Sequence, residues 1–340
     1  MICLTSKITI KIALISDKLT HDSLKEESNV IIKNITPLNY KIVLRFWKPD
    51  ILFVESAWQG FKEKWKYKIA SYSDYPKRNN KKLAKVVSYA KSLGIPTVFW
   101  NKEDGVHFDR FINSAKLFDH IFTVDENCIP KYKAIVDEKV TVNSLIFAVQ
   151  SKFHNFTGFN FKSTKANFVG SYSTHVHNKR RYWQDMMFEF SSKLNGLVVF
   201  DRNSERKSHN YKYPKFENME VLPSLSYEQT ADIYKKYLIS LNVNTMEDSP
   251  TMFSRRLVEI IACGGVAITN NTLAVEKYFK EYCYTFETKE ELEKLLKRFQ
   301  KNGLSDSDKE RLKAGAEYVS KYHTWAHRLE KIKKVIGLNK

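Results

Sequence analysis

The stretch from Asp248 to Asn270, DSPTMFSRRLVEIIACGGVAITN, gathers residue types that phosphate and sugar chemistry needs. The apolar run Leu238 to Val243 reads as a strand and leads through Asn244 into Ser249 and Pro250. That pair signals a helix start, because a serine hydroxyl can accept from orphan N–H groups and proline fits the first helical position. A helix beginning just past a strand's carboxyl end presents free N–H groups and a positive dipole end, a natural cradle for a diphosphate. Arg255 and Arg256, one turn further in, can add charge-assisted contacts to phosphate oxygens. Arg255 and Glu259 also stand at the i, i+4 spacing of a helix-surface ion pair. Among apolar neighbours, Glu259 is an odd place for a charge unless it has a polar partner, and the vicinal hydroxyls of a ribose offer one. Gly264 and Gly265 would end the helix and permit close backbone approach.

A second polar group, Trp100, Asn101, Lys102, Glu103, Asp104 and His107, follows the buried strand Thr97 to Trp100. Residues at the carboxyl end of a parallel strand are well placed for a ligand. A histidine or carboxylate there can take a hydroxyl proton as general base. For Glu103, Asp104 and His107 a capping or loop-packing role is equally compatible with the sequence, and Asp104 suits the cap of the next helix. Glu55 and Asp125 share the same strand-end position and the same two readings. His175 and His177 lack a partner at zinc-like spacing, so no metal site is expected. There is no Walker sequence, GxGxxG fingerprint or GxSxG elbow.

These groups need a scaffold of strands and crossover helices, and the chain supplies the alternation twice. At 340 residues it favours two α/β domains. The first series has strands at Ile8 to Ile15, Asp50 to Glu55, Thr97 to Trp100 and His120 to Val124. Helices lie between them near Pro37 to Phe46, Lys81 to Leu93, Phe108 to Leu117 and Asn127 to Val136. Periodicity fails from Phe147 to Lys165, the expected linker. A second series opens with Ala166 to Val169 and Gly170, then a helix from Asn178. Two doubly wound Rossmann-like domains facing across a cleft are expected, residues 1–155 and 166–320. The amphipathic helix of residues 321–340 is expected to cross back to the first domain.

Composition bounds the partners. A net charge of +18 implies anionic company. The lysines are densest in KEKWKYK (62 to 68) and KRNNKK (77 to 82), where Trp58, Phe61, Trp65 and Tyr67 interleave the charge as in interfacial segments. A solvated face is the simpler alternative, and peripheral contact with an acidic membrane surface the functional one. No nucleic-acid motif is present, so no nucleic acid is expected as a partner. Cys3, Cys128, Cys263 and Cys283 show no paired spacing, which fits reduced thiols in a cytoplasmic protein. No signal peptide and no apolar run of spanning length are seen.

The run SPTMFSRRLVEIIACGG resembles the nucleotide-sugar signature of the CgeB-like (spore maturation protein) glycosyltransferases, a branch similar to family 4 of the retaining GT-B enzymes. The resemblance extends to PDILFVESAW (49 to 58), GIPTVFWNKEDGVHFDRF (94 to 111), FDHIFTVDENCIPKY (118 to 132), FVGSY (168 to 172), NKRRYW (178 to 183), ISLNVNT (239 to 245) and YHTWAHRLEKI (322 to 332). It implies a GT-B fold and metal-independent hexosyl transfer, with UDP or GDP carrying the sugar and no further cofactor. The acceptor would be a hydroxyl of a surface glycan, lipid-linked intermediate or glycoprotein, at the inner face of the membrane. The implied donor site is Gly170, Ser171, Lys179, Arg180, Asn244, Ser249, Thr251, Met252, Arg255, Arg256 and Glu259, with Glu259 on the ribose. The implied acceptor-side base comes from His107, Glu103 and Asp104. Where family 4 enzymes usually carry a second glutamate, eight residues before Glu259, this chain has Thr251. That departure keeps a non-catalytic GT-B relative in a surface layer as the alternative and weakens the inference of a retaining course.

Overall fold

The computed structural model describes residues 9–338, so Cys3 and the first residue of the strand expected at Ile8 lie outside it. The chain divides into two compact units. One takes the residues up to Ile146 together with those from Trp325 on, and the other takes Phe147–Thr324.

The first unit is built on a six-stranded parallel sheet. Its strands are β1 (Ile10–Ile15), β2 (Val30–Asn34), β3 (Ile51–Glu55), β4 (Thr97–Asn101), β5 (His120–Thr123) and β6 (Thr141–Ser144), in spatial order β2-β1-β3-β4-β5-β6. Every residue of β3 and β4 is buried, which explains their unbroken apolar runs, since a parallel sheet is covered on both faces. The register pairs Glu55 with Trp100 and Asn101 with Thr123, bringing the polar strand ends level. The last helix, Trp325–Val335, packs on this sheet, with the Trp325 ring 5.4 Å from Trp100 and Arg328 Nε donating to the Ile146 carbonyl at 2.8 Å. Strands β2 and β6 escaped the sequence reading because both are half-exposed edges without a strong apolar run.

The second unit has six parallel strands, β7 (Ser163–Gly170), β8 (Leu197–Asp201), β9 (Met219–Leu222), β10 (Tyr237–Asn242), β11 (Val266–Asn270) and β12 (Tyr284–Phe286), ordered β12-β11-β10-β7-β8-β9. In this order the connections change direction between β7 and β10, the point outside whose strand ends ligands bind in open α/β sheets. The segment expected to be a linker is instead fastened to this unit. His154 is buried and bonded to Thr230 Oγ1 at 2.9 Å, and Phe159 and Phe161 pack against the core.

One local expectation is corrected here. The helix does not start at Ser249 and Pro250; it spans Arg255–Ala262, with Ser254 before it. Phe253 is the reason, because it is buried among Phe147, Phe279 and His323, and reaching them requires residues 244–254 to run as a loop. Ser249 still caps, but it caps a turn: its Oγ accepts from the Met252 N–H at 2.9 Å and the Thr251 N–H at 3.3 Å.

Candidate functional site

In the second unit three arginines, Arg180, Arg202 and Arg256, gather at the strand ends around Gly170. Arg256 projects from the helix Arg255–Ala262 onto the end of β7. Its Nε donates to the Val169 carbonyl, its guanidinium lies 4.2 Å from the Phe168 ring centre, and Nη1 reaches Asn242 Oδ1 of β10 at 3.5 Å. It therefore spans the switch point between β7 and β10. Glycine leaves room for it: a methyl group built on Gly170 would stand 2.5 Å from Arg256 Nη2 and displace it. Burial, reinforced by the charges of Arg180 and Arg202, draws the Arg256 guanidinium down to about 10.

Arg180 comes from the first turn of the helix Asn178–Leu194, where its Nη2 donates to the Ser171 carbonyl at 3.0 Å and its Nε is buried with no partner. Burial and then the charge of Arg202 hold this guanidinium below its ordinary value. Lys179 and Arg181 share that first turn, which contains no acidic residue. Cations at the positive end of a helix dipole are unfavourable unless an anion joins them. Arg202 follows β8 directly, and its N–H donates to the Gly170 carbonyl at 2.7 Å. Among the described residues no carboxylate lies within ion-pair distance of Arg180, Arg202 or Arg256.

The ion pair foreseen as the alternative reading of Glu259 is present: Arg255 Nε donates to Glu259 Oε1 at 2.9 Å. Burial alone would raise the Glu259 carboxyl, yet Arg255, His154, Arg202 and Arg256 outweigh it and hold it below the usual range. Glu259 is thus an ionised acceptor in a basic basin. Tyr213, from the loop after β8, places a hydroxyl without a hydrogen-bond partner in the same basin, near Asp201 and then Arg256, Arg180 and Arg202. Sequence reasoning missed Arg202 and Tyr213. Arg202 had a signal, a charge immediately after the buried run LVVFD, whereas Tyr213 lies in a loop without periodicity.

The remaining donor residues are distributed unevenly. Asn244 is fully occupied: its N–H donates to Asn270 Oδ1 at 2.8 Å, its Nδ2 to Thr269 Oγ1 at 3.0 Å, and its Oδ1 accepts from the Ser254 N–H at 2.8 Å. It ties the loop to the strand ends. Thr251 is buried with Ser249 in the capped turn, and Met252 is half-buried. Lys179 is exposed and pairs with Glu247 at 3.2 Å, while Ser171 contributes its carbonyl to Arg180 and Gln184. Gly264 does not serve ligand approach. Its φ of +73° ends the helix, and a side chain there would meet the Phe156 ring at 2.5 Å.

In the first unit the strand ends carry a buried ionic network. Glu55 is 0% exposed and accepts from Lys102 Nζ at 3.0 Å, the Asp17 N–H at 2.6 Å and Thr20 Oγ1 at 2.5 Å. Asp17 accepts from the N–H groups of Trp58, Gln59 and Gly60. Burial raises the Glu55 carboxyl, and the attraction of both carboxylates keeps Lys102 firmly charged. Trp58, placed by Asp17, meets His107 edge-on at 5.2 Å. His107 precedes the helix Phe108–Ala115, and burial and then Arg110 lower its pKa, leaving a neutral imidazole at physiological pH.

Asp104 does not stand beside His107 as an open base. It is completely buried and accepts from Tyr132 Oη at 2.9 Å and Asn101 Nδ2 at 2.5 Å, and burial pushes its carboxyl up to about 7. Nor does it cap the following helix. Glu103 is half-buried, its N–H bonded to Asn101 Oδ1.

The aromatics of the first lysine cluster mostly turn inward. Trp65 is in the core with its indole N–H on the Ile35 carbonyl at 2.7 Å, and Phe61 stacks on His21. Among the described residues no three His, Cys, Asp or Glu side chains converge, and no helix is long and apolar enough to cross a membrane. The thiols of Cys128, Cys263 and Cys283 are free and buried.

Two six-stranded parallel sheets of these topologies are the GT-B fold. An α-glucosyltransferase in complex with UDP superposes with a TM-score of 0.65 at 11% identity, covering 97% of this chain and 100% of that one. The same kind of enzyme bound to UDP-glucose and DNA with an abasic site gives 0.66 at 11% identity, covering 96% and 99%. Anabaena HepE in complex with UDP and glucose gives 0.58 at 9% identity, covering 97% and 99%. Residues 174–334 match the glycosyl transferase-like family, Glyco_trans_1_2. No curated protein matches the chain by sequence. Two such neighbours, at 11% identity, were solved with DNA bound, a property of those enzymes.

Proposed function

We propose that this protein is a glycosyltransferase that moves a sugar from a nucleoside diphosphate, UDP in the first instance, to an acceptor hydroxyl. The observation that carries the reading is the arginine basin at Gly170. Among the described residues Arg180, Arg202 and Arg256 have no carboxylate within ion-pair distance, and they stand beside a helix start rich in cations and near Glu259, which Arg255, Arg202 and Arg256 help keep ionised. Such a basin suits a diphosphate, and Glu259 suits the ribose hydroxyls. In the reaction the acceptor oxygen bonds to the anomeric carbon, the bond from that carbon to the diphosphate breaks, and the arginines neutralise the departing charge. In the first unit we assign the proton of the acceptor hydroxyl to His107, whose neutral ring can receive it. Asp104, sealed under Tyr132, is left out of that role.

For the acceptor, a hydroxyl of a surface glycan, lipid-linked intermediate or glycoprotein follows from the CgeB-like resemblance. A nucleic-acid hydroxyl is a second reading. It is favoured by the structural neighbours bound to DNA and by Arg78, whose guanidinium lies 4.1 Å from the ring centres of both Tyr67 and Tyr75.

Thermal shift with UDP, GDP, CMP and dTDP tests the donor site. UDP is expected to stabilise the protein and Glu259→Ala to abolish the shift; absence of any nucleotide effect would remove the proposal. Nucleotide binding with neither hydrolysis nor transfer across a donor panel would instead support the non-catalytic alternative.

A further inference from the structure

The first unit exposes an apolar stripe that its core does not use. Leu38, in the turn before Tyr40–Ile42, and Ile42 and Phe46, in the successive turns Tyr40–Ile42 and Val43–Trp47, follow one another at intervals of four and are 91%, 64% and 74% exposed. The same turns do have a core residue, Leu44, which is fully buried, so the outward face is distinct from the packing face. Three large apolar side chains exposed along one short segment are unusual on a surface that meets only water.

The charge around the stripe is of one sign. Lys33, Lys41, Arg45 and Lys48 are all exposed, and no acidic residue occurs between Glu27 and Asp50. Trp47 lies among them with its ring centre 4.9 Å from Lys33 Nζ and 5.6 Å from Lys11 Nζ. A second copy of the chain would bring two such cationic rims together and is opposed by their repulsion. A polyanion with no apolar surface would answer the rim and leave the stripe in water.

We propose that this face docks the protein on an anionic lipid bilayer, with Leu38, Ile42 and Phe46 entering the headgroup–acyl boundary and the basic rim meeting lipid phosphates. The stripe, and not the aromatic lysine cluster at residues 58–68, is the membrane-contacting element. The inference does not depend on the donor site, and its test requires no activity.

The test is flotation of the full-length chain with vesicles of phosphatidylcholine alone, or with about one third phosphatidylglycerol added. The protein is expected to float with the anionic vesicles and to stay behind with the neutral ones. Leu38→Asp with Phe46→Asp should reduce the bound fraction roughly tenfold or more while leaving thermal melting unchanged, because both side chains are solvent-exposed. Lys62→Glu with Lys64→Glu, a matched charge change in the other cluster, should preserve most of the binding. The proposal is overturned if the native chain fails to float, if the Leu38/Phe46 variant floats like the native chain, or if the Lys62/Lys64 variant loses binding equally. Sedimentation showing that the Leu38/Phe46 variant turns a dimer into a monomer would assign the stripe to a second copy and also overturn it.

Discussion

Replacing Arg256 by methionine should make the nucleotide-free protein more stable while removing nucleotide binding. Arg256 is only 8% exposed, and folding draws the pKa of its guanidinium down to about 10. That fall corresponds to roughly 3 kcal/mol by which the folded site disfavours the charged form, since each pKa unit is about 1.4 kcal/mol. Methionine keeps the stem and the contact with Phe168 but forfeits the hydrogen bond to Val169, the long contact to Asn242 and the cation–π attraction, together about 1–2 kcal/mol. The balance favours the variant by about 1–2 kcal/mol, a rise in melting temperature of roughly 2–8 °C for a domain of this size. Loss of a charge-assisted contact to the diphosphate should weaken UDP binding by about 30-fold or more. Differential scanning fluorimetry over a UDP titration measures both quantities on one plate. If the variant melts several degrees lower and binds UDP as the native chain does, Arg256 is a strut for β7 and the basin is not an anion site.

Two further outcomes follow from the first unit. Lys102→Met leaves Glu55 buried without its cation and should cost about 3–5 kcal/mol in urea unfolding, with Glu55→Gln in the same chain recovering part of the loss. Should Lys102→Met be neutral, the network at the ends of β1, β3 and β4 is not a buried ion pair in solution. For His107, the base form is the active one, so kcat/KM should fall as pH drops through a pKa below the ordinary 6.5, and the neutral imidazole should leave the rate flat above it. His107→Gln should lower the rate and erase that limb; an unchanged profile would assign the proton to another group.

Much of the scaffold was readable because parallel strands announce themselves. The runs ILFVE, TVFWN and LVVFD are apolar except at their ends, and each is a fully buried strand. Edge strands β2, β6 and β9 carry no such signal, since one side meets water and the apolar residues thin out. In the donor region the oddity of Glu259 was legible as a charge among apolar neighbours. The ion pair with Arg255, four residues away on the same helix, was legible too, whereas the approach of His154 and Arg202 from distant parts of the chain was not. The Ser249–Pro250 pair was misread as a helix start because local capping chemistry is the same in a turn, and only the burial of Phe253 separates the two.

The sequence by itself determined that the chain forms two parallel α/β units and that a cationic, glutamate-bearing segment follows a strand end, because hydrophobic period and helix spacing act over a few residues. Tertiary structure decided which charges are answered and which stay open. Asp104 is closed off under Tyr132, Lys102 is bound into Glu55, and Arg180 and Arg256 are left facing one another around Gly170. It also decided that Trp65 turns into the core while Leu38, Ile42 and Phe46 turn out. Side-chain type fixes the cost of burying a group, but only the packed fold determines which groups are buried and what meets them there.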